Sequence, residues 1–158
     1  MDIKIDSAEG KFKFRVCGAL KHGDKYLVVK MNQNNFYCLP GGHVELGEDT
    51  DQAILREMEE ELGYAVKIEK MIAINQNFFT GIDGKSFHEI GVYYVVNAVD
   101  EKMINTNNYQ REELDKGVIQ HLQFVWATKE ELKNMDFRPK FIVECLDKQN
   151  VDLSITRD

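Results

Sequence analysis

The sequence predicts a mixed α/β (α+β) fold in a single domain over residues 1-158, and three observations support this. The chain has 158 residues, an ordinary size for one globular domain. Hydrophobic residues make up 43% of the chain and charged residues 30%, so there is enough apolar material for a core. Segments with strand-like alternation outnumber helical ones, which predicts about six strands with two or three helices.

The first half of the chain is predicted to open with a β-hairpin. Residues 12–20 alternate and are rich in β-forming residues, and a turn leads from them into a second strand over 26–30. The polar segment 32–35 then predicts a loop, and a short apolar run follows at 36–39. Pro40 and the two glycines after it are expected to interrupt regular structure.

The second half predicts further strands. Residues 66–74 form a candidate strand, and a second hairpin is expected to pair 72–79 with 88–99. Residues 100–117 are polar and predict a loop. A last strand is predicted over 121–127.

Helices are predicted in three places. The longest pattern covers residues 50–62, and Gly63 is well placed to end it. A capping-box signature from Thr128 to Glu131 predicts a short helix. Pro139 suits the first turn of a C-terminal helix.

The 50–62 helix concentrates acid at its C-terminal end, where residues 57–61 place four carboxylates in five residues. At about 100° per residue, Glu57, Glu60 and Glu61 share one narrow face, and such neighbours repel one another. An apolar stripe is expected beside that face, formed by Met58, Leu62 and Leu55. The arrangement is either a solvated acidic face or a site for a hard divalent cation, which takes oxygen ligands and substrate phosphates.

Composition and charge exclude several function classes. Lys and Arg number 20 against 27 Asp and Glu, a formal charge of −7, which argues against duplex nucleic acid or an anionic membrane as a partner. No uncharged apolar stretch approaches the roughly 20 residues of a membrane helix, and the N-terminus does not resemble a secretory signal. Three widely spaced cysteines without a CxxC pair predict a reduced, cytoplasmic protein.

Residues 42–64 resemble the signature of the Nudix hydrolases, G-x5-E-x7-R-E-U-x-E-E-x-G-U, where U is a bulky apolar residue. The signature positions are occupied by Gly42, Glu48, Arg56, Glu57, Met58, Glu60, Glu61, Gly63 and Tyr64. The resemblance implies an α/β/α sandwich with a mixed central sheet. It also implies hydrolysis of a nucleoside diphosphate linked to a further group X, with Mg²⁺ or Mn²⁺ as cofactor.

The resemblance assigns roles to individual residues. Four groups are expected to ligate metal: the carboxylates of Glu57, Glu60 and Glu61 and the carbonyl of Gly41. Arg56 is expected to pair with Glu48 and hold the loop against the helix. The general base is expected to be Glu57 or a glutamate outside the signature, Glu112 or Glu113. Substrate contacts are expected from Lys30, Arg15 and Tyr37.

The resemblance leaves the substrate open. A small nucleotide is expected, such as the nucleoside triphosphate 8-oxo-dGTP or a nucleotide sugar, with ADP-ribose or a dinucleotide as the alternative. Many ADP-ribose hydrolases exchange strands of an additional N-terminal domain in a dimer. We expect no such domain in this short chain, which favours a small nucleotide as substrate. The oligomeric state stays open, with a homodimer as one alternative. An alternative of another class is a non-catalytic nucleotide-binding or regulatory module with the same fold.

Overall fold

The computed structural model describes residues 1–32 and 34–157 and confirms the mixed α+β architecture. The strands are β1 (Lys4–Asp6), β2 (Lys11–His22), β3 (Lys25–Met31), β4 (Gly41–His43), β5 (Val66–Thr80), β6 (Ser86–Ala98), β7 (Tyr109–Asp115), β8 (Val118–Thr128) and β9 (Asp152–Arg157). The helices are α1 (Thr50–Leu62), α2 (Lys129–Asn134) and α3 (Ile142–Cys145), with a 3₁₀ turn over Glu101–Met103. Gln33, in the predicted loop 32–35, lies outside the described residues.

The strands join in one mixed sheet in the order β7-β8-β3-β2-β6-β5-β9, and β1 and β4 pair with β2 off this path. Strand β2 runs parallel to β6 but antiparallel to its other neighbours. It contacts β3 near their shared turn, where Lys21 faces Tyr26, and contacts β4 further back, where Val16 faces Gly42. Because β4 pairs with this part of β2, the chain that follows β4 leads to the start of α1 on one face of the sheet.

Two hydrophobic clusters place the helices on opposite faces of the sheet. One cluster packs Ile54 and Met58 of α1 against strand residues such as Val16. The other packs Ile142 of α3 against residues such as Tyr93. The resulting order is helix, sheet, helix, as the resemblance implied. Within the described ranges, no helix is both long and apolar enough to cross a membrane.

Helix α1 begins and ends where the sequence predicts. Asp49 caps its N-terminus in a capping box, and Gly63, at φ 83°, donates its N–H to the carbonyl of Glu59 at the other end. The buried hydroxyl of Tyr94 on β6 donates to Asp51 at 2.7 Å. The two caps fix the length of the helix, and Tyr94 attaches its first turn to the sheet.

The buried face of α1 differs from the predicted stripe. Ala53, Ile54 and Met58 are fully buried, whereas Leu55, expected in the stripe, is 37% exposed. Gly18 of β2 permits Met58 to approach the sheet closely, because a Cβ at position 18 would lie 2.9 Å from the Sδ of Met58. The face of α1 that packs on the sheet therefore lies closer to the carboxylates than the predicted apolar stripe does. The prediction that Leu55 belongs to the buried stripe was wrong.

Three other predictions of local structure were wrong. Residues 100–117 contain strand β7 instead of a continuous loop, and Gly41 and Gly42 lie in strand β4 instead of interrupting regular structure. Residues 66–80 form one long strand instead of two segments, with register shifts that account for the break in the pattern. Strand β9 was not predicted. Both β7 and β9 are edge strands: the sequence of β7 is mostly polar, whereas β9 is short and its alternating Leu153 and Ile155 are exposed.

Candidate active site

Arg56 is the centre of an ion-pair network that joins the loop before α1 to the helix. Its guanidinium donates to the two carboxylate oxygens of Glu48 at 3.1 and 2.6 Å, which is the pair that the sequence predicts. It also donates to the carbonyl of His43 at 3.0 Å and to Glu57 at 2.9 Å, and lies 3.4 Å from Glu60. The hydrogen bond from Arg56 lowers the pKa of Glu48. The planar fork of an arginine suits this bridging role.

Glu57 lies against strand β4. A Cβ at Gly42 would fall 2.2 Å from the Cδ of Glu57, so the absence of a side chain at Gly42 makes room for this carboxylate. The side chain of Glu57 is 19% exposed. Burial raises the pKa of Glu57, and the neighbouring Arg56 opposes that rise. Gly42, before the helix, therefore allows the charged side chain of Glu57 to lie close to the backbone of β4.

Glu61 has a different partner, Arg111 of β7. Arg111 donates to the Glu61 carboxylate at 2.8 Å and, through its other terminal nitrogen, to the backbone carbonyl of Glu61. Burial raises the pKa of Glu61, and Arg111 opposes the rise. Sequence reasoning missed Arg111 because its segment was predicted as a loop. The available signal was the period-two spacing of Tyr109, Arg111 and Glu113, which share one side of β7.

A pocket of about 180 Å³ lies at the acidic end of α1. Six of the residues that line it are Arg15, Gly41, Glu57, Glu60, Glu61 and Glu113. Four carboxylates, one arginine and a glycine backbone from four separate elements thus face the same space. The three signature glutamates and Arg15, predicted separately from the sequence, are brought together here.

The remaining predicted residues are divided between two sides of the β3–β8–β7 layer. Glu113 lines the acidic pocket, whereas Glu112 points to the other side of β7 and pairs with His121 at 3.3 Å. Glu112 and Lys30 line a separate pocket of about 500 Å³. The Nζ of Lys30 lies 5.7 Å from the ring centroid of Tyr37. Glu112, Lys30 and Tyr37 are therefore not among the residues lining the acidic pocket.

The donors in the acidic pocket fit a hard divalent cation, because carboxylate and carbonyl oxygens are its preferred ligands. Nevertheless, in the part of the chain that the structure describes, no three His, Cys, Asp or Glu side chains converge closely enough to hold one ion. The contacts explain this. Arg56 holds Glu57 and Glu60, and Arg111 holds Glu61. Each of the three carboxylates is thus engaged by a guanidinium group.

Comparison with known proteins identifies a family model that matches most of the chain and a relative that matches a shorter part of it. The family model for the NUDIX domain matches residues 12–145. Over 62 residues the chain is 36% identical to the ADP-ribose pyrophosphatase of Methanocaldococcus jannaschii, and this match spans 37% of each protein.

Solved structures share the fold. A NUDIX hydrolase from Nitrosomonas europaea aligns with a TM-score of 0.61 at 18% identity, covering 92% of this chain and 79% of that one. A MutT NUDIX hydrolase from Burkholderia pseudomallei aligns with a TM-score of 0.60 at 19% identity, covering 85% and 98%. At these identities the likeness concerns the fold.

Proposed function

The chain belongs to the NUDIX domain family, and from this premise we propose that it is a metal-dependent pyrophosphohydrolase. Its substrate is a nucleoside diphosphate linked to a further group X, and the reaction is hydrolysis of the phosphorus anhydride. The observation that carries the proposal is the pocket in which Glu57, Glu60, Glu61 and Glu113 lie with Arg15. Such a pocket combines ligands for a divalent cation with a cationic group for a phosphate.

The proposed cofactor is Mg²⁺ or Mn²⁺. Glu57, Glu60 and Glu61 would hold it together with the carbonyl of Gly41, and all four residues line the pocket. When bound, the cation neutralises the phosphates and promotes ionisation of water. The carboxylates then no longer repel the substrate, which accounts for an acidic pocket in an enzyme that acts on a polyanion.

The chain's own residues divide the remaining work. Arg56 positions the loop and the acidic helix through its bonds to Glu48 and Glu57. Arg15 donates to a substrate phosphate. Glu113 is the better placed candidate for the general base outside the signature, because it lines the pocket whereas Glu112 does not.

Two further candidates are assigned to the group X. Lys30 and Tyr37 lie next to each other at the β3 side of the fold, and Met31 and Leu122 line both pockets. We therefore propose that Lys30 and Tyr37 contact the part of the substrate that extends beyond the acidic pocket. A cation beside an aromatic ring suits a phosphate next to a nucleobase.

For the substrate we propose a small nucleotide, either a nucleoside triphosphate such as 8-oxo-dGTP or a nucleotide sugar. ADP-ribose or a dinucleotide is the alternative, and the similarity to the ADP-ribose pyrophosphatase of Methanocaldococcus jannaschii favours ADP-ribose. A non-catalytic binding module is the third candidate, which the presence of all three signature glutamates in one pocket disfavours. The three free cysteines support a reducing, cytoplasmic setting. We propose residues 1-158 as one domain, with its assembly as monomer or homodimer open.

A substrate panel tests the proposal. The protein is incubated with Mg²⁺ and, separately, with nucleoside triphosphates including 8-oxo-dGTP, nucleotide sugars, ADP-ribose and dinucleotides, and released phosphate or pyrophosphate and nucleoside monophosphate are measured. Hydrolysis of one class, abolished by chelator and by Glu60→Gln, supports the enzyme. Saturable nucleotide binding without turnover of any compound supports the binding module and overturns the enzyme.

A further inference from the structure

Arg111 makes two chemically different bonds to one residue. One terminal nitrogen meets the Glu61 carboxylate at 2.8 Å, and the other meets the Glu61 backbone carbonyl. The guanidinium lies 5.5 Å from the ring centroid of Phe124, which in turn stacks on Tyr109 at 4.7 Å. Arg111 therefore rests on an aromatic surface and faces the last turn of α1 with both ends of its fork.

The bond from Arg111 to the Glu61 carbonyl stabilises the C-terminal end of α1. The last four carbonyls of an α-helix lack partners within the helix, and a positive charge there is favourable. The last turn of α1 contains no basic residue and is instead rich in carboxylates. Arg111, 50 positions away in sequence, supplies both a donor and a charge to this end of the helix.

The bond from Arg111 to the Glu61 carboxylate offsets negative charge on the acidic face of α1. Glu57 and Glu60 both contact Arg56, whereas Glu61 pairs with Arg111. Without these two arginines, three carboxylates on one narrow face would repel one another. The two guanidinium groups thus neutralise the acidic face by different routes, one local and one across the fold.

We propose that Arg111 is a latch that pairs with the Glu61 carboxylate while the metal is absent and gives up that carboxylate when a divalent cation binds. A carboxylate that turns toward a metal leaves the guanidinium, since two cations repel each other around one anion. The Glu61 backbone carbonyl is not among the proposed metal-ligating atoms, so the bond from Arg111 to it persists in both states. Arg111 then changes one partner and keeps the other. This inference rests on the metal site of the proposed function.

The latch also has a consequence for Glu113. Arg111 and Glu113 are two positions apart on one side of β7, and Glu113 lines the acidic pocket. The persistent bond to the Glu61 carbonyl holds this edge strand against the end of α1. Arg111 is thus a positioning residue, which keeps Glu113 over the acidic pocket.

The proposal predicts two effects of opposite sign in Arg111→Gln. Loss of the competing cation tightens Mn²⁺ binding, measured by calorimetry without substrate, by about three- to tenfold. Loss of the anchored strand lowers kcat by about tenfold and accelerates hydrogen exchange of β7 amides in the metal-free protein. A residue that merely stabilises the fold would weaken both metal binding and turnover, so the opposite signs identify the latch.

Arg157→Gln is the matched control. Arg157 also lies over a phenylalanine ring, 4.4 Å from the centroid of Phe78, but on β9 at the other edge of the sheet. It is expected to leave Mn²⁺ affinity, kcat and β7 exchange unchanged. Arg111→Lys is the second variant in case Arg111→Gln does not fold. Its single ammonium keeps the charge without the rigid fork, so Mn²⁺ affinity changes little while β7 exchange accelerates.

Unchanged or weaker Mn²⁺ binding in folded Arg111→Gln overturns the latch. In Arg111→Lys, exchange of β7 at the wild-type rate overturns it as well. Because these measurements use the metal alone, they are separate from the substrate panel: failure of every compound in the panel contradicts the proposed activity and leaves the metal measurements to decide the latch.

Discussion

Helix α1 buries two kinds of side chain, apolar residues and carboxylates. In its first half Ala53 and Ile54 are fully buried against the sheet, and Met58 continues that contact. In its last half the inward positions hold Glu57 and Glu61, whose side chains are only 19% and 20% exposed. The first group removes apolar surface from water, which stabilises the fold, whereas the second removes charge from water, which costs stability.

The buried apolar residues hold the helix on the sheet, whereas the buried carboxylates serve the proposed active site. Burial raises the pKa of both Glu57 and Glu61, a sign that their charged forms are disfavoured where they lie. Arginines offset part of this cost without removing it. A chain selected for stability alone would place apolar residues at these positions, so we expect the buried carboxylates and the buried apolar residues of α1 to respond in opposite ways to substitution.

The largest expected effect concerns the acidic end. Glu60→Gln and Glu61→Gln should each lower kcat by about 10³-fold, because charge stabilisation through the metal is a large part of catalysis. The free energy of unfolding should stay the same or rise, since a repelling charge is lost. Turnover with saturating Mg²⁺ and thermal melting measure the two quantities. Glu59→Gln, an exposed neighbour, is the control; near-normal rates in both site variants would contradict the assignment.

The next effect concerns the apolar side chains that α1 buries. Met58→Ala should lower the free energy of unfolding by about 2–5 kcal/mol, because it removes a fully buried side chain and leaves a cavity between the helix and the sheet. Turnover per folded molecule should be retained well below the melting temperature. Denaturant titration checks the first statement, with Leu55→Ala as the exposed control. A larger loss in the Leu55 variant would contradict the observed orientation of the helix.

Gly42→Ala tests the contact between strand β4 and the Glu57 side chain of helix α1. The added Cβ would meet the Cδ of Glu57 at 2.2 Å, so the carboxylate must move. We expect kcat to fall about tenfold to thirtyfold, with less effect on stability than in Met58→Ala. Gly47→Ala, where a Cβ meets nothing within 4 Å but φ is 90°, measures the backbone cost alone. Equal rates in Gly42→Ala and the wild type would mean that Glu57 is not confined.

The smallest effect concerns Glu48, whose pKa is lowered by its hydrogen bond from Arg56. A folded pKa below the unfolded value contributes stability above the unfolded pKa of about 4.3, which is lost as the pH falls through the folded value. Glu48→Gln should therefore lower the melting temperature by a few degrees at pH 7 and by less at pH 3. Parallel curves for wild type and variant across this range would contradict the pairing.

The sequence predicted best what local contacts determine. The bounds of α1 follow from Asp49 and Gly63, and the Arg56–Glu48 pair joins residues eight positions apart. The position of Leu55 was mispredicted because burial depends on Gly18, in another element. Helical angle alone cannot say which part of a helix meets the sheet.

The sequence predicted worst what distant contacts determine. Strand β7 is polar because it lies at an edge, so its pattern resembled a loop. The contact between Arg111 and Glu61 spans 50 positions, and no local spacing signals it. The separation of Glu112 from Glu113 likewise became visible only once β7 was known to be a strand.

The network of Arg56 has a consequence for how such a site can be inherited. Its partners all lie between His43 and Glu60, and both caps of the helix are supplied by its flanking residues Asp49 and Gly63. A short continuous segment thus supplies every partner of Arg56 among the described residues. Such a segment can keep this network while the strands and loops around it diverge.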